Sequence, residues 1–556
     1  MTVGNGPMSM VVQGAALVSL IWSCTVFVVQ AIGISQLFRH HSGPLPKPVS
    51  PSLEPDEVPH ITVIRPVKGV EVGLYECLAS TFRLAYPKSK LTIYLCVAST
   101  DDPAYPVLQQ LVADFPGFDA KVLVEEDDPL LHGTGGHVNN LGPNPKIRNI
   151  SRAYREAKGD IVWIVDCNVW VGTNSAGRMV DKLCGFLPDG SRTTPYKFVH
   201  QLPLVVDIDP LPTAEERQRL LPTTHNASPP TDRTPRGILS HFGGRLEEMF
   251  MSTTHAKFYS AINTVGVAPC IIGKSNMFRK SHLDLFTDPA RNPLLSPRDA
   301  ARGRGLDFFS SYICEDHLIG DLIWRSRLPP QSSDDDGGAP APRFRNHGLV
   351  FGEPALQPMA GMSAAGYVAR RVRWLRVRKW TVLAATLVEP GVEPLVCCAH
   401  LAFALTTLPW FRGGDRGWGA GVGVPPTWRA MALVWALAVT AWMLVDRWVS
   451  GELRRLRSVD VDEHTPAFAR GAGRPGGIPQ RPFGEWLAAW VGREVLALPI
   501  WTWAVLLGTT VTWRGRRFRV RMDMSVVEVG GGTRESSAPG SKVTSRPNSR
   551  NKDRID

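Results

Sequence analysis

From Pro59 to about Leu328, short β-branched runs alternate with longer segments of mixed polarity, the pattern of strands each followed by a helix. "HITVIRPV" (His60–Val67) reads as a strand ending in a turn, "YECLASTFRLAY" (Tyr75–Tyr86) has helical spacing, and "KLTIYLCVAS" (Lys90–Ser99) is a second strand that stops at "TDDPAYP". After the helical "YPVLQQLVADF" come "AKVLVEED" and then "GDIVWIVDCNVWV", a strand apolar on both faces. Strands that bury both faces and alternate with helices predict a parallel or mixed sheet of the α/β class.

The same pattern predicts membrane segments at both ends. Met10–Ser35 contains no charged residue, and about 20 apolar residues cross a bilayer as a helix. The run is longer than the h-region of a signal peptide and has no basic n-region, so an anchor is expected rather than a cleaved leader. Arg39, His40, His41 and Lys47 follow it, which places the next domain in the cytosol by the positive-inside rule. Beyond Trp380, "TVLAATLVEPGVEPLVCCAHLAFALTTLPW" reads as one kinked span or a re-entrant hairpin, Ala430–Val445 as a short span and Val495–Trp513 as a fuller one. The expected organisation is a short lumenal N-terminus (1–9), an anchor (10–37), a Pro-rich linker (38–59) and a cytosolic α/β domain (60–380). A C-terminal membrane region (381–513) and a basic, then disordered tail (514–556) complete it. Polar inserts near 207–236, 288–304 and 328–345 read as loops.

Composition adds two points. The nine cysteines form neither a CxxC pair nor a zinc ligand set, which suits reduced thiols. The formal net charge of +11 gathers beside apolar segments, in "RRVRWLRVRK" and "RGRRFRVR". That placement points to anionic membrane lipid as a partner and not to nucleic acid.

Candidate chemistry lies at strand ends, where α/β sheets bind ligands. Asp101 and Asp102 follow the second strand and either cap a turn or face a site. Asp166 ends a buried apolar strand, a costly position for a carboxylate without a partner. Asn168 points to the same face and makes with it a pair of hard oxygen ligands suited to Mg²⁺ or Mn²⁺. Glu315 and Asp316 are adjacent and cannot share one helical face, so one can face the site while the other caps or pairs elsewhere; the two readings are mere N-capping of the helix "DHLIGDLIW" and a general base. Arg370, Arg373 and Trp374 in "RRVRW" form either a phosphate grip or a juxtamembrane stripe.

The order strand–Asp, strand–Asp, Glu-Asp, Arg-x-x-Arg-Trp resembles the D,D,D,(Q/R)xxRW series of membrane-bound family 2-like glycosyltransferases. The words "VIRPVKGVE", "DDPA", "NPKIRN", "DIVWIVD", "FVHQLP", "APCIIGKSNMFRK", "CEDHLIGDLI" and "RRVRW" are most similar to the ceramide glucosyltransferase family, over roughly Met10 to Lys379. The long inserts exceed the compact animal form and look fungal. The resemblance implies a glycosyltransferase A fold at the cytosolic face of the Golgi that transfers glucose from UDP-glucose to the primary hydroxyl of ceramide. It implies Asp102 near the uridine, Asp166 on a divalent metal, Asp316 as base, and Arg370, Arg373 and Trp374 at the donor. Lys146 is either a further positive charge near the phosphates or a surface lysine. His200 and Cys270, in family-like words, line the pocket or serve packing, and Glu315 stands beside the base. A processive polysaccharide synthase shares these motifs and is the main alternative; an inactive lipid-binding scaffold is another.

Overall fold

The computed structural model describes residues 7–132, 141–208, 242–328, 343–411 and 423–529. The expected inserts near 207–236 and 328–345 fall largely outside these residues, as do the first six positions and the tail beyond 529. Among the described residues, β1 (Ile61–Pro66), β2 (Leu91–Val97), β3 (Asp119–Val124), β4 (Ile161–Val165), β5 (Tyr196–Asp207), β6 (Ser275–Arg279) and β7 (Arg345–Met359) form one sheet of order β3-β2-β1-β4-β6-β5-β7. The first four pair in parallel, whereas β6 runs antiparallel between β4 and β5. This is the mixed sheet of the expected α/β class.

Both faces of the sheet are covered, which is why its strands carry almost continuous apolar runs. Val63, Ile93, Leu95 and Trp163 point into one core with helices Leu74–Phe82, Tyr105–Asp114 and Ser175–Cys184. Ile64, Tyr94, Val162 and Phe278 point the other way, against helices Pro145–Arg155, Lys280–Phe286 and Glu315–Arg325. Trp163 is wholly buried; truncating such a side chain to Ala costs about 3–5 kcal/mol. Arg65, also fully buried, donates from Nη2 to the carbonyls of Cys77 and Val169, both at 2.9 Å. A cation inside the β1 end thus holds the loop that follows β4.

Among the described residues, two helices are long and apolar enough to cross a membrane, Met10–His41 and Trp428–Arg454, with Leu383–Val392 and Pro394–Thr407 as a pair bent by 71°. The N-terminal helix, Pro7–His41, has 35 residues, roughly 52 Å at 1.5 Å per residue, against a hydrocarbon core of about 30 Å. Its later turns pack on the α/β domain: a Cβ at Gly33 meets the Lys257 carbonyl at 2.0 Å, so only glycine permits that approach.

The span read at Val495–Trp513 is not formed as one helix. Helix Phe483–Trp501 gives way to a π-turn at Thr502–Leu506, and β8 (Thr510–Trp513) begins a second sheet with β9 (Arg516–Val520) and β10 (Val526–Glu528). Side chains from the preceding domain draw its carbonyls out of helical pairing. Arg376 donates to the Trp503 and Thr510 carbonyls, and Lys379 to those of Val505 and Gly508. The basic stretch after Trp513, expected as the start of a tail, is part of a small β-sheet on the domain.

Candidate active site

A cleft of about 2410 Å³, including its open mouth, lies at the carboxyl ends of β1 and β4 and beneath helix Ala364–Arg378. Lys146, Asp166, Asn168, Cys270, Glu315, Asp316, Arg370, Arg373 and Trp374 all line it. Residues far apart in sequence are brought together there, each placed by its own element.

Asp166 follows β4 directly, and both of its oxygens are occupied. Lys146 Nζ lies 3.1 Å from Oδ1 and Lys274 Nζ 3.0 Å from Oδ2. Lys274 also donates to Asn168 Oδ1 at 3.3 Å. Burial opposes ionisation of Asp166, but the two ammoniums outweigh it and hold the carboxyl well below its usual range. Lys146 is held in turn by Asn144, which caps helix Pro145–Arg155 by accepting from the Lys146 and Ile147 N–H groups.

Glu315 and Asp316 divide as adjacent helical positions must. Glu315 turns inward: its Oε1 is 3.3 Å from Lys146 Nζ and its Oε2 accepts from Asn144 Nδ2 at 3.1 Å. Burial, with Asp316 nearby, raises its pKa despite Lys146. Asp316 faces the cleft. A Cβ on Gly273 comes within 2.7 Å of Asp316 Oδ2, so glycine is what lets this carboxylate lie against the entry to β6.

On the opposite wall, Arg370 Nε pairs with buried Glu247 at 2.9 Å, and its guanidinium lies 4.5 Å from the Trp374 ring centre. Burial and the charge of Arg370 push Arg373 down to about 10. Cys270 lines the cleft with its thiol pushed up to about 12 by burial, which leaves it protonated.

Two expected residues sit elsewhere. Asp102 is not part of the cleft wall; its Oδ1 accepts from the N–H groups of Gly69 and Ala104, both at 2.9 Å, and so pins the loop after β1 that does line the cleft. His200 is buried on β5 with Nδ1 2.6 Å from the Tyr259 hydroxyl, behind a tyrosine that reaches the cleft.

Residues 23–213 and 342–526 match glycosyl transferase family 21. The chain belongs to glycosyl transferase family 21. Ceramide glucosyltransferase of Pyricularia oryzae is 56% identical over 535 residues, spanning 96% of this chain and 99% of the relative. That of Gibberella zeae is 46% identical over 541 residues, 96% and 97% of the two chains. Among solved structures, a mannosyltransferase from Pyrobaculum calidifontis in complex with GDP-Man and Mn²⁺ is 14% identical with a TM-score of 0.35, covering 79% of this chain and 96% of its own. At that likeness the fold rests on this chain's own sheet order.

In this family 21 chain the Asp166–Asn168 pair offers hard oxygens suited to Mg²⁺ or Mn²⁺. Lysine occupies both Asp166 oxygens, and among the described residues no three His, Cys, Asp or Glu side chains gather as a metal site. The oxygens are of the right chemistry for a cation shared with substrate phosphates, since Mg²⁺ commonly binds through one or two carboxylates plus phosphate, but Lys146 and Lys274 would have to yield them.

Several residues of the cleft carried no assignment from the sequence, among them Lys68, His255, Lys274 and Arg514. His255 has both ring nitrogens shielded and without hydrogen-bond partners, and burial next to Arg371 and Arg378 lowers it to about 3. Lys274 stood inside the quoted word "APCIIGKSNMFRK", where a lone cation in an apolar run was the available signal.

Proposed function

We propose that this chain transfers glucose from UDP-glucose to the primary hydroxyl of ceramide, giving β-glucosylceramide by a single inverting displacement. The observation that carries the reading is a cleft in which the Asp316 carboxylate, without an ion pair among the described residues, shares the wall with the cations Lys146, Lys274, Arg370 and Arg373. The fungal relatives, which are ceramide glucosyltransferases, support the acceptor and the sugar.

Asp316 accepts the hydroxyl proton as the acceptor oxygen bonds to the anomeric carbon. The bond from that carbon to the diphosphate oxygen breaks, and its electron pair leaves with UDP. Charge growing on the diphosphate is met by the fixed cations, whose alignment precedes the reaction. Asp166 and Asn168 are the residues that would hold Mg²⁺ or Mn²⁺, which would supply further positive charge at the leaving group. Direct attack inverts the α-linkage of the donor.

The apolar end of the cleft, Ile262, Pro269, Ile271, Val382 and Ala385, runs toward the bent pair at Leu383–Thr407 and suits an acceptor that stays in the bilayer. We place the domain on the cytosolic face of a Golgi membrane, supported by Arg39 and Lys47 after the first span. The test is transfer of labelled glucose from UDP-glucose in vesicles containing ceramide, with products separated by anomer. β-Glucosylceramide supports the reading; a polymer of glucose contradicts it.

A further inference from the structure

Three cations enter the cleft from three separate elements: Lys68 after β1, Arg373 on helix Ala364–Arg378, and Arg514 in the turn between β8 and β9. The other lysines and arginines on its wall are paired: Lys146 and Lys274 with Asp166, Arg370 with Glu247, and Arg371 and Arg378 with Glu389. Among the described residues, Lys68, Arg373 and Arg514 have no carboxylate at ion-pair distance. Lys68 Nζ donates to the Arg514 carbonyl at 2.9 Å, which ties the turn to the loop beside it. Burial, and after it the Arg514 and Arg516 charges, lowers Lys68 despite the Asp102 carboxylate nearby.

The turn is built for this position. Arg514 and Gly515 both have positive φ, 50° and 80°, as a two-residue type I′ hairpin requires. The first of these positions favours Asn, Asp or Gly, so an arginine stands there against local preference. The small sheet is fastened on two sides. Phe518, fully buried, packs with Val377 of helix Ala364–Arg378, and Val526 N donates to the Ser311 carbonyl at 2.9 Å, just ahead of Asp316. A strap so fixed bridges the two walls of the cleft.

We propose that the β8–β9 turn is a strap over the donor subsite and that Arg514, with Lys68 and Arg373, grips the diphosphate of the nucleotide sugar. The proposal rests on the nucleotide-sugar reading above. A diphosphate offers the acceptor oxygens that guanidinium forks match, and it supplies the negative charge that the three cations lack. A nucleoside without phosphate supplies neither.

The test is binding of UDP and of uridine to the full-length protein in detergent, by calorimetry and competition, for wild type, Arg514→Ala, Arg514→Lys and Arg517→Ala. Arg517 lies exposed on β9 and outside the cleft. Arg514→Ala is expected to weaken UDP about tenfold or more, the scale of a charge-assisted contact, and to leave uridine unchanged. Arg514→Lys recovers part of the loss, and Arg517→Ala matches wild type. Equal UDP affinity in wild type and Arg514→Ala overturns the proposal and leaves the transferase reading standing. A parallel loss of UDP and uridine assigns Arg514 to packing and also overturns it. A wild-type protein that binds no UDP overturns the reading on which it rests.

Discussion

Lys274 Nζ lies 3.0 Å from Asp166 Oδ2, and the backbone N–H of Asp166 donates to the Lys274 carbonyl at 3.0 Å. A positive charge is thereby fixed at the end of β4, beside the expected leaving group. Lys274→Met keeps the length of the side chain and removes the charge. The expected result is a fall of roughly 10- to 100-fold in kcat/KM for UDP-glucose, about 1.4 kcal/mol per tenfold. Asp166 regains a free oxygen in the variant, so its residual activity depends more steeply on Mg²⁺. Mg²⁺ titrations of both proteins check this; matching curves and rates contradict it.

Glu315 and Asp316 are neighbours that fail differently. Glu315→Gln leaves Lys146 beside one carboxylate fewer in a buried cluster, and breaking a buried pair costs about 3–5 kcal/mol. A lower Tm in detergent is expected, larger than that of Asp316→Asn, whose carboxylate faces the cleft. Equal Tm values for the two variants contradict the division of roles.

Acid destabilises this fold through buried imidazoles. Burial lowers His200 and His255 to about 3 and His282 to about 4, all from 6.5. As pH falls below about 6.5 the unfolded chain takes up protons that the folded chain cannot, so stability is full above that pH and is lost toward pH 3–4. Tm is expected to drop between about pH 7.5 and about pH 5, and His200→Gln flattens the drop. A profile that His200→Gln leaves unchanged contradicts the assignment.

The strands were legible because burial on both faces leaves near-continuous apolar runs, as in Ile161–Val165. Asp166 and Asp316 were legible because a carboxylate in an apolar setting is chemically conspicuous. Lys274 was not, because its role depends on β6 entering antiparallel beside β4, with Ser275 opposite Val165, an order that periodicity does not encode. Arg514 was hidden for another reason. The apolar run before it reads as a span, whereas the chain turns into a strand where the Arg376 and Lys379 side chains, remote in sequence, take its carbonyls. Asp102 shows the converse: its turn-capping contacts were visible in "TDDPA", whereas its distance from the cleft wall was not.

Asp316 is the proposed base. Its most direct test is glucose transfer to ceramide by Asp316→Asn, measured beside UDP binding in the same preparation. Loss of transfer by about 10²- to 10⁴-fold with unchanged UDP affinity is the predicted result. Transfer at the wild-type rate removes Asp316 from that role and contradicts the mechanism.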